Sequence, residues 1–213
     1  MEPISSETSA PRPNLRARQA QLTRDEILAA ARRLFAQRGY ARTTVRDIAQ
    51  AAGVSSQTVY DSVGSKQALV ARLNDLIDTE AGIPTIAVEA VASTEPREVA
   101  ATSARITRSI LEHCGDIVRA LVTGAAAEPE LEAVLVEGHH RHLRGAATIV
   151  GRLGDLGALD ESTDSEAAAE TLAAIADFRF ALLLHESYGW SLDRIERWMA
   201  DTSRALLLRV DRR

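Results

Sequence analysis

Apolar residues recur along most of the chain at the spacing of an α-helix, and no segment shows the strict alternation of a β-strand. The first apolar stripe repeats at i, i+3, i+4, i+7 and i+8 and consists of Ile27, Ala30, Ala31, Leu34 and Phe35. Thr23 and Glu26 precede it as a T-x-x-E capping box, and Gly39 is placed to end the helix. The pattern predicts a helix over this segment and an all-α fold for the chain.

Two shorter helices follow, with a glycine-containing turn between them. Thr44 opens a second capping pattern, Gly53 lies in the turn, and Ser55 is a natural N-cap for the next helix. Two short helices joined in this way make a helix-turn-helix arrangement. Ser65 then caps a longer helix that runs to about Thr79.

The remaining residues predict a linker and a larger helical domain. Gly82, Pro84 and the polar residues 94–96 indicate the linker. The later helices are expected over residues 97–114, from 117 to just before 128, and over 129–153, 165–188 and 192–210. The chain then has about nine helices in three parts. These parts are a flexible N-terminal arm over residues 1–22, a helix-turn-helix domain over residues 23–70, and a helical domain over residues 71–213.

Composition excludes several classes of protein. The 213 residues include one cysteine, Cys114, which rules out an internal disulfide framework and a cysteine-rich zinc site. The longest strongly apolar run, residues 180–184, is far shorter than the roughly 18 residues of a membrane span. The first residues lack the basic and apolar regions of a secretory signal. We therefore expect a cytoplasmic protein with no membrane partner.

Charge is divided unevenly along the chain. The formal net charge of −5 argues at first against nucleic acid as a partner. Residues 1–66, however, hold ten basic and six acidic side chains, a net of +4, whereas residues 67–213 have a net of −9. Such asymmetry indicates a nucleic-acid-binding end.

The second helix of the helix-turn-helix carries side chains that suit a major groove. Small hydroxyl and amide groups hydrogen-bond base edges or phosphates, and here they are Ser55, Ser56, Gln57, Thr58 and Tyr60. Arg46, on the preceding helix, adds bidentate donors for guanine or phosphate. Lys66 lies in the first turn of the following helix, where free backbone N–H groups favour an anion.

These segments resemble the DNA-binding domain of the TetR (tetracycline-repressor) family. The resemblance rests on T-T-V-R-D-I-A-Q-A-A-G-V-S at residues 43–55, T-V-Y at 58–60 and S-K-Q-A-L at 65–69, and it covers about residues 23–70 without a gap. It implies an all-helical, homodimeric transcriptional regulator, usually a repressor of a palindromic operator that a small ligand releases. Family positions that read bases match Arg46, Ser56 and Gln57, and those that hold phosphates match Thr44, Thr58, Tyr60 and Lys66.

Two residues depart from the family pattern. Asp61 stands where the family often has an aromatic or basic residue, and a carboxylate is repelled by phosphates. Val63 replaces the usual phenylalanine between the recognition helix and the next helix. Asp61 leaves open a second hypothesis, in which the chain is a TetR-like module that does not bind DNA.

The C-terminal helices offer candidate surfaces for a ligand and for a second copy. Residues 172–184 are apolar on nearly all sides, and with the last helix they fit the two-helix face that the family pairs into a four-helix dimer interface. An ordinary intrachain core is the alternative. A neutral or moderately apolar effector is expected in a cavity. Its candidate walls are Arg105, His113, His139, His142, Phe178 and His185.

A histidine cluster raises a third hypothesis, a metal-dependent hydrolase. His139, His140 and His142 lie close in sequence, but they cannot all point the same way on one helix. The i, i+4 spacing of a helical zinc site is missing as well. We therefore expect no metal site, no cofactor and no enzymatic activity.

Overall fold

A computed structural model of the chain describes residues 15–126, 128–160 and 163–209. Four helices form its N-terminal domain: α1 (Leu15–Arg38), α2 (Val45–Ala51), α3 (Ser56–Ser62) and α4 (Lys66–Glu80). The last three of these helices are capped as predicted. Thr44, Ser55 and Ser65 directly precede α2, α3 and α4, and the side chain of each accepts a backbone N–H of the first turn.

The first helix begins earlier than the sequence predicts. It is already formed at Leu15, so the capping box expected at Thr23 is absent and residues 15–22 are helical instead of a flexible arm. Leucine, alanine, arginine and glutamine in this stretch all have high helix propensity. Gln21 also donates a hydrogen bond to Asp25 one turn later, at 2.8 Å. The rest of the predicted arm, residues 1–14, lies outside the described residues.

Seven further helices form the C-terminal domain. The described residues therefore contain eleven helices, whereas about nine were predicted. They are α5 (Ile83–Ala92), α6 (Pro96–Ala100), α7 (Thr102–Ala125), α8 (Pro129–Asp155), α9 (Ser165–Ile175), α10 (Phe178–Glu186) and α11 (Leu192–Leu207). Helix α7 lies at the centre and packs against α1, α4, α5, α8, α10 and α11. The largest apolar cluster runs from α1 through α7 into α10 and α11, so the two domains share a continuous core.

Three predicted boundaries differ from the structure. The expected linker is largely helix α5, because Gly82 adopts a left-handed conformation (φ 63°) and Pro84 lies in the first turn, where proline is compatible with a helix. Of the two helices expected between residues 97 and 128, residues 97–100 lie in α6, and residues 102–125 form one helix, α7, with a kink at Cys114 (φ −131°, ψ 15°). The single helix expected over 165–188 is divided before Asp177, whose carboxylate accepts the backbone N–H of Arg179 and begins α10.

No helix within the described residues is both long enough and apolar enough to cross a membrane.

Candidate nucleic-acid interface and interior cavity

The α2–turn–α3 unit is fixed by one glycine and one buried valine. Gly53 has a φ of 69°, a left-handed conformation that glycine adopts without strain and that reverses the chain between the helices. Val59 is completely buried under α3, so the opposite side of this short helix faces outward. Gln57, Tyr60 and Asp61 are exposed on that side, and 52% of the surface of Tyr60 is accessible to solvent.

The hydroxyl groups proposed to contact DNA also cap the helices. Ser55 Oγ accepts the backbone N–H of Thr58 at 3.0 Å and lies 2.8 Å from Thr58 Oγ1. The Thr44 hydroxyl and backbone N–H both donate to Asp47 Oδ2, at 2.6 and 2.9 Å. These bonds lower the pKa of Asp47, the hydroxyl of Thr44 contributing most. Thr44 and Ser55 are exposed, and these hydrogen bonds fix the orientation of their hydroxyl groups.

Gln57 and Asp61 form a pair on the exposed face of α3. Gln57 Nε2 donates to Asp61 Oδ1 at 2.8 Å, one helical turn away. The carboxylate that departs from the family pattern thus fixes the side-chain amide of a predicted base-reading residue. The second N–H of that amide and its oxygen are not used in this bond. Arg46, on α2, is exposed, whereas Ser56 and Thr58 are half-buried.

Lys66 lies in the first turn of α4, as predicted, but its ammonium group has an intramolecular partner. Nζ lies 3.8 Å from the centroid of the Tyr40 ring. This arrangement is a cation–π contact. Partial desolvation lowers the pKa of Lys66. Tyr40 is buried and packs against Phe35, with ring centroids 5.4 Å apart.

An ion-pair network that sequence reasoning missed joins the two domains. Arg32 of α1 donates to both carboxylate oxygens of Asp116 (2.6 and 2.9 Å), to Glu80 (2.5 Å) and to the carbonyl of His113 (2.7 Å). The hydrogen bond to Asp116 is the largest cause of the raised pKa of Arg32. Burial acts to raise the pKa of Asp116, but the bond and charge of Arg32 outweigh it and hold that pKa low. Cys114, at the kink of α7, lies beside this network with its Sγ 3.7 Å from Glu80, and burial raises its pKa to about 11.

A cavity of about 170 Å³ lies between α4, α5, α7, α8 and α10. Two of the predicted wall residues, His142 and Phe178, line it. The polar groups at its surface that sequence reasoning missed are Asn74, Asp78, Ser103 and Arg141. Its remaining lining is aliphatic or glycine: Ile77, Ile83, Ile106, Ile110, Val118, Leu121, Val134, Leu135, Gly138, Gly145, Ala146 and Ile149.

The other four predicted wall residues do not line this cavity. Arg105 pairs with Glu89 on the surface, and His113 Nδ1 lies 2.9 Å from the carbonyl of Ser109 within its own helix. His139 borders a separate shallow groove. His185 Nδ1 lies 2.8 Å from the carbonyl of Trp190, in the turn after α10. The direction in which each of these side chains points depends on the face of the helix that carries it. An apolar stripe in the sequence identifies that face only approximately.

His142 enters the cavity as a neutral group. Its Nε2 lies 3.0 Å from the carbonyl oxygen of Ala173, and because a carbonyl only accepts, Nε2 carries the hydrogen. Burial lowers the pKa of His142 and outweighs the opposing effects of this hydrogen bond and of Asp177. Nδ1 is then an acceptor.

Within the described part of the chain, no three histidine, cysteine, aspartate or glutamate side chains are placed to hold a metal ion. His139 and His140 have ring centroids 6.3 Å apart, while His142 lines the interior cavity. The metal-dependent hydrolase hypothesis therefore receives no support from the geometry.

Helices α10 and α11 divide their apolar residues between two directions. Inward residues join the core, which agrees in part with the intrachain alternative: Leu182, Leu184, Ile195, Met199 and Leu207. Outward residues form an exposed apolar face, which we call the α10–α11 face: Phe180, Leu183, Trp198 and Leu206. The rings of Phe180 and Trp198 meet edge to face at 5.8 Å. Exposed apolar faces of this kind mark interaction sites.

The fold and these sites define an all-helical, two-domain helix-turn-helix protein with an interior cavity between α4 and four helices of the C-terminal domain. Residues 27–73 match the family described as bacterial regulatory proteins, tetR family. The N-terminal domain of the chain is therefore similar to this family, and the chain as a whole has the fold of solved structures described as putative TetR-family transcriptional regulators.

Curated relatives match about a quarter of the chain. The HTH-type transcriptional regulator TtgR of Pseudomonas putida is 47% identical over 57 residues, 27% of this chain and 27% of that protein. The HTH-type transcriptional repressor KstR2 of Mycolicibacterium smegmatis is 46% identical over 56 residues, 26% of this chain and 27% of that protein. The chain thus matches about a quarter of the length of these relatives.

Solved structures match nearly the whole fold at low identity. The complex of SmeT with triclosan has a TM-score of 0.71 and 22% identity, and the match covers 90% of this chain and 94% of that one. SmeT is the repressor of the Stenotrophomonas maltophilia multidrug efflux pump SmeDEF. NalD, the secondary repressor of the MexAB-OprM multidrug efflux pump in Pseudomonas aeruginosa, has a TM-score of 0.69 and 20% identity, with 90% and 98% covered. At these identities the likeness concerns the fold.

Proposed function

We propose that the chain is a ligand-responsive transcriptional regulator, most simply a repressor, that binds a palindromic DNA operator as a homodimer and is released by a small-molecule effector. The observation that carries the proposal is the outward face of α3, where Gln57 and Tyr60 are exposed above the buried Val59 in a segment that matches the TetR family. Relatives of that segment are named as a transcriptional regulator and a transcriptional repressor.

In this proposal residues of α2 and α3 read bases in the major groove, and Tyr60 holds phosphates together with residues at or near the helix N-termini. Arg46, Ser56 and Gln57 are the proposed base-reading residues. The proposed phosphate-contacting residues are Thr44, Ser55, Thr58, Tyr60 and Lys66. Lys66 would leave the ring of Tyr40 to reach a phosphate, which a four-carbon side chain achieves by rotation alone.

The cavity is the proposed effector site, and α4 connects it to the reading surface. Asn74, Ile77 and Asp78 of α4 line the cavity, while Lys66 begins the same helix beside α3. A rigid helix that touches both sites supplies the differential contact that coupling between two sites requires. SmeT, which shares this fold, has been solved with triclosan bound.

The α10–α11 face is the proposed dimer interface. It carries the outward apolar residues of the two helices, and a two-fold copy would bury them in a four-helix arrangement. The two α2–turn–α3 units of the dimer, about one helical turn of DNA apart (~34–36 Å), would then contact the two half-sites of a palindrome. A protein acting on chromosomal DNA acts in the cytoplasm, and it acts by binding and not by catalysis.

Selection from a random duplex library, followed by footprinting of the enriched sequence, tests the proposal. We expect an inverted repeat to be enriched and its affinity to fall steeply with salt, because phosphate contacts release counterions. Failure to enrich any sequence, or binding that is independent of salt, would contradict DNA recognition. That result would favour the alternative of a TetR-like module without DNA binding.

A further inference from the structure

The size of the interior cavity limits what it holds. Its volume is about 170 Å³. A cavity of about 150 Å³ lined by leucine, isoleucine and phenylalanine accommodates benzene. The space between α4, α7 and α8 therefore suits a small ligand of about the size of one substituted ring.

The charged groups at the cavity wall already have partners. Arg141 Nη1 lies 3.3 Å from Asp78 Oδ2, so a positive and a negative side chain neutralise each other at the surface of the cavity. An anionic or cationic ligand that enters the apolar part of the cavity would lose its water and find no free counter-charge, because Arg141 and Asp78 already neutralise each other. The geometry disfavours ligands of either sign.

Neutral polar groups remain for one hydrogen-bonding substituent. Asn74 contributes an amide, Ser103 a hydroxyl, and His142 a ring whose Nε2–H is held by the carbonyl of Ala173. A single carbonyl or hydroxyl group on a ligand would find both donors and acceptors among them. The ring of Phe178 supplies an aromatic wall for the apolar part.

Two glycines of α8 border the cavity, Gly138 half-buried and Gly145 exposed. Gly138 and Gly145 lie one heptad apart, both line the cavity, and a Cβ atom at either would meet no atom within 4 Å. Gly124 is different, because a Cβ there would lie 2.5 Å from Leu131 Cδ1 and close packing explains its glycine. In mid-helix glycine is less favourable than alanine, so packing within the chain does not account for Gly138 and Gly145.

We propose that the cavity binds an uncharged, mainly apolar molecule of the size of one substituted ring with a single hydrogen-bonding group, and that Gly138 and Gly145 provide the room for it. The inference rests on the proposed function in taking the cavity as the effector site.

Three planar probes of nearly identical shape and different charge test the charge selection: acetophenone, benzoate and benzamidinium. Each is titrated calorimetrically into the full-length protein without DNA. We expect acetophenone to bind and to raise Tm, and the two ions to bind at least about tenfold more weakly. Binding of either ion as tightly as acetophenone would overturn the inference. Absence of binding by all three at millimolar concentration would overturn it as well.

The double variant Gly138→Ala/Gly145→Ala tests the assigned space, with Gly151→Ala as the matched control. Gly151 lies on the same helix and does not line the cavity, and a Cβ atom there would also meet no atom within 4 Å. All three substitutions favour the helix, so both proteins should keep or exceed the parent Tm. The double variant should lose about tenfold in acetophenone affinity while the control is unchanged. Equal affinities in the two variants would overturn the assignment.

Duplex release separates this inference from the proposed function. Acetophenone binding that selects against the ions, without release of a bound duplex, would support the ligand class and contradict the proposed effector response. Release of the duplex by benzoate or benzamidinium, with no response to acetophenone, would support the regulator and overturn the ligand class.

Discussion

Asp61 changes the chemistry of the proposed reading face in two ways at once. Its carboxylate holds the Gln57 amide through a 2.8 Å hydrogen bond, which limits the rotamers of a base-reading side chain. It also places a negative charge beside phosphates, which weakens attraction to any DNA sequence. The first effect favours discrimination between bases, and the second lowers affinity.

Substitution of Asp61 separates these effects. Asp61→Asn removes the charge but keeps an oxygen that accepts from Gln57, so affinity for all duplexes should rise by about three- to tenfold with discrimination retained. Asp61→Ala should raise affinity similarly and reduce discrimination at the base that Gln57 reads. Fluorescence anisotropy with the selected operator and single-base variants measures both. Equal discrimination by the two variants would contradict a positioning role for Asp61.

His142 makes stability depend on pH. Burial lowers its folded-state pKa below the ordinary value of 6.5, so the unfolded chain binds the proton more readily. The stability that neutral His142 contributes is present above pH 6.5 and is lost as pH falls from there toward the folded-state pKa. The stability of His142→Gln should therefore change less between pH 7 and pH 5, as measured by urea denaturation. An unchanged pH dependence in this variant would show that other groups control it.

Local chemistry at the residue scale was readable from the sequence at three of the four predicted helix caps, the exception being Thr23, which lies inside α1. The side chains of Thr44, Ser55 and Ser65 each accept the backbone N–H three residues later, and each caps its helix as predicted. Arg32 and Asp116 are 84 residues apart, and no local pattern indicates that they meet. The same reason explains why only two of the six predicted wall residues line the cavity, since five helices assemble it.

Helices α1, α4 and α7 meet at Arg32. One guanidinium group binds the end of α4 through Glu80 and both sides of the α7 kink, through the His113 carbonyl before it and Asp116 after it. Helices α4 and α7 both line the cavity, so a change of shape there reaches this junction through packed helices. The periodicity of the sequence predicts a break near Cys114 but does not distinguish a kink from an end, because both interrupt the stripe in the same way.

Arg32→Ala should destabilise the protein by about 1–2 kcal/mol, since the pair is half-exposed and solvent screens part of its interaction. Arg33→Ala is the matched control, because Arg33 is exposed on the same helix and its removal changes the net charge equally. Urea denaturation of both variants measures the difference. A loss of similar size in the two would show that the network contributes no more than a surface charge.

Arg32 also provides a test of coupling between the sites. With the junction loosened, acetophenone affinity should be nearly unchanged, whereas the ratio of duplex affinities without and with acetophenone should fall toward one. This measurement uses the selected operator. A ratio equal to that of the parent protein would locate the coupling elsewhere.

The whole molecule combines a basic N-terminal part with an acidic remainder. The net charge of +4 over residues 1–66 attracts phosphate at the reading end, and the −9 over residues 67–213 keeps the rest of the molecule from adhering to DNA. A dimer built through α10 and α11 would place two basic ends on one side of an acidic body. The sequence predicts this division of charge, but it does not indicate which apolar residues of the last two helices face outward.

The outward residues of the α10–α11 face allow the dimer to be tested with a matched pair of variants. Leu206→Glu places a charge on that face, where the side chain is 63% exposed, and Val88→Glu places one on α5, where the side chain is 69% exposed. Neither substitution buries a charge within the protomer, so both should fold with nearly the parent Tm.

Because a charge buried without a partner at an interface is costly, Leu206→Glu should shift sedimentation toward the monomer. It should also weaken binding to the full palindrome far more than to a half-site, since a monomer loses the second contact. Val88→Glu should remain dimeric. A dimeric Leu206→Glu beside a monomeric Val88→Glu would move the interface to α5.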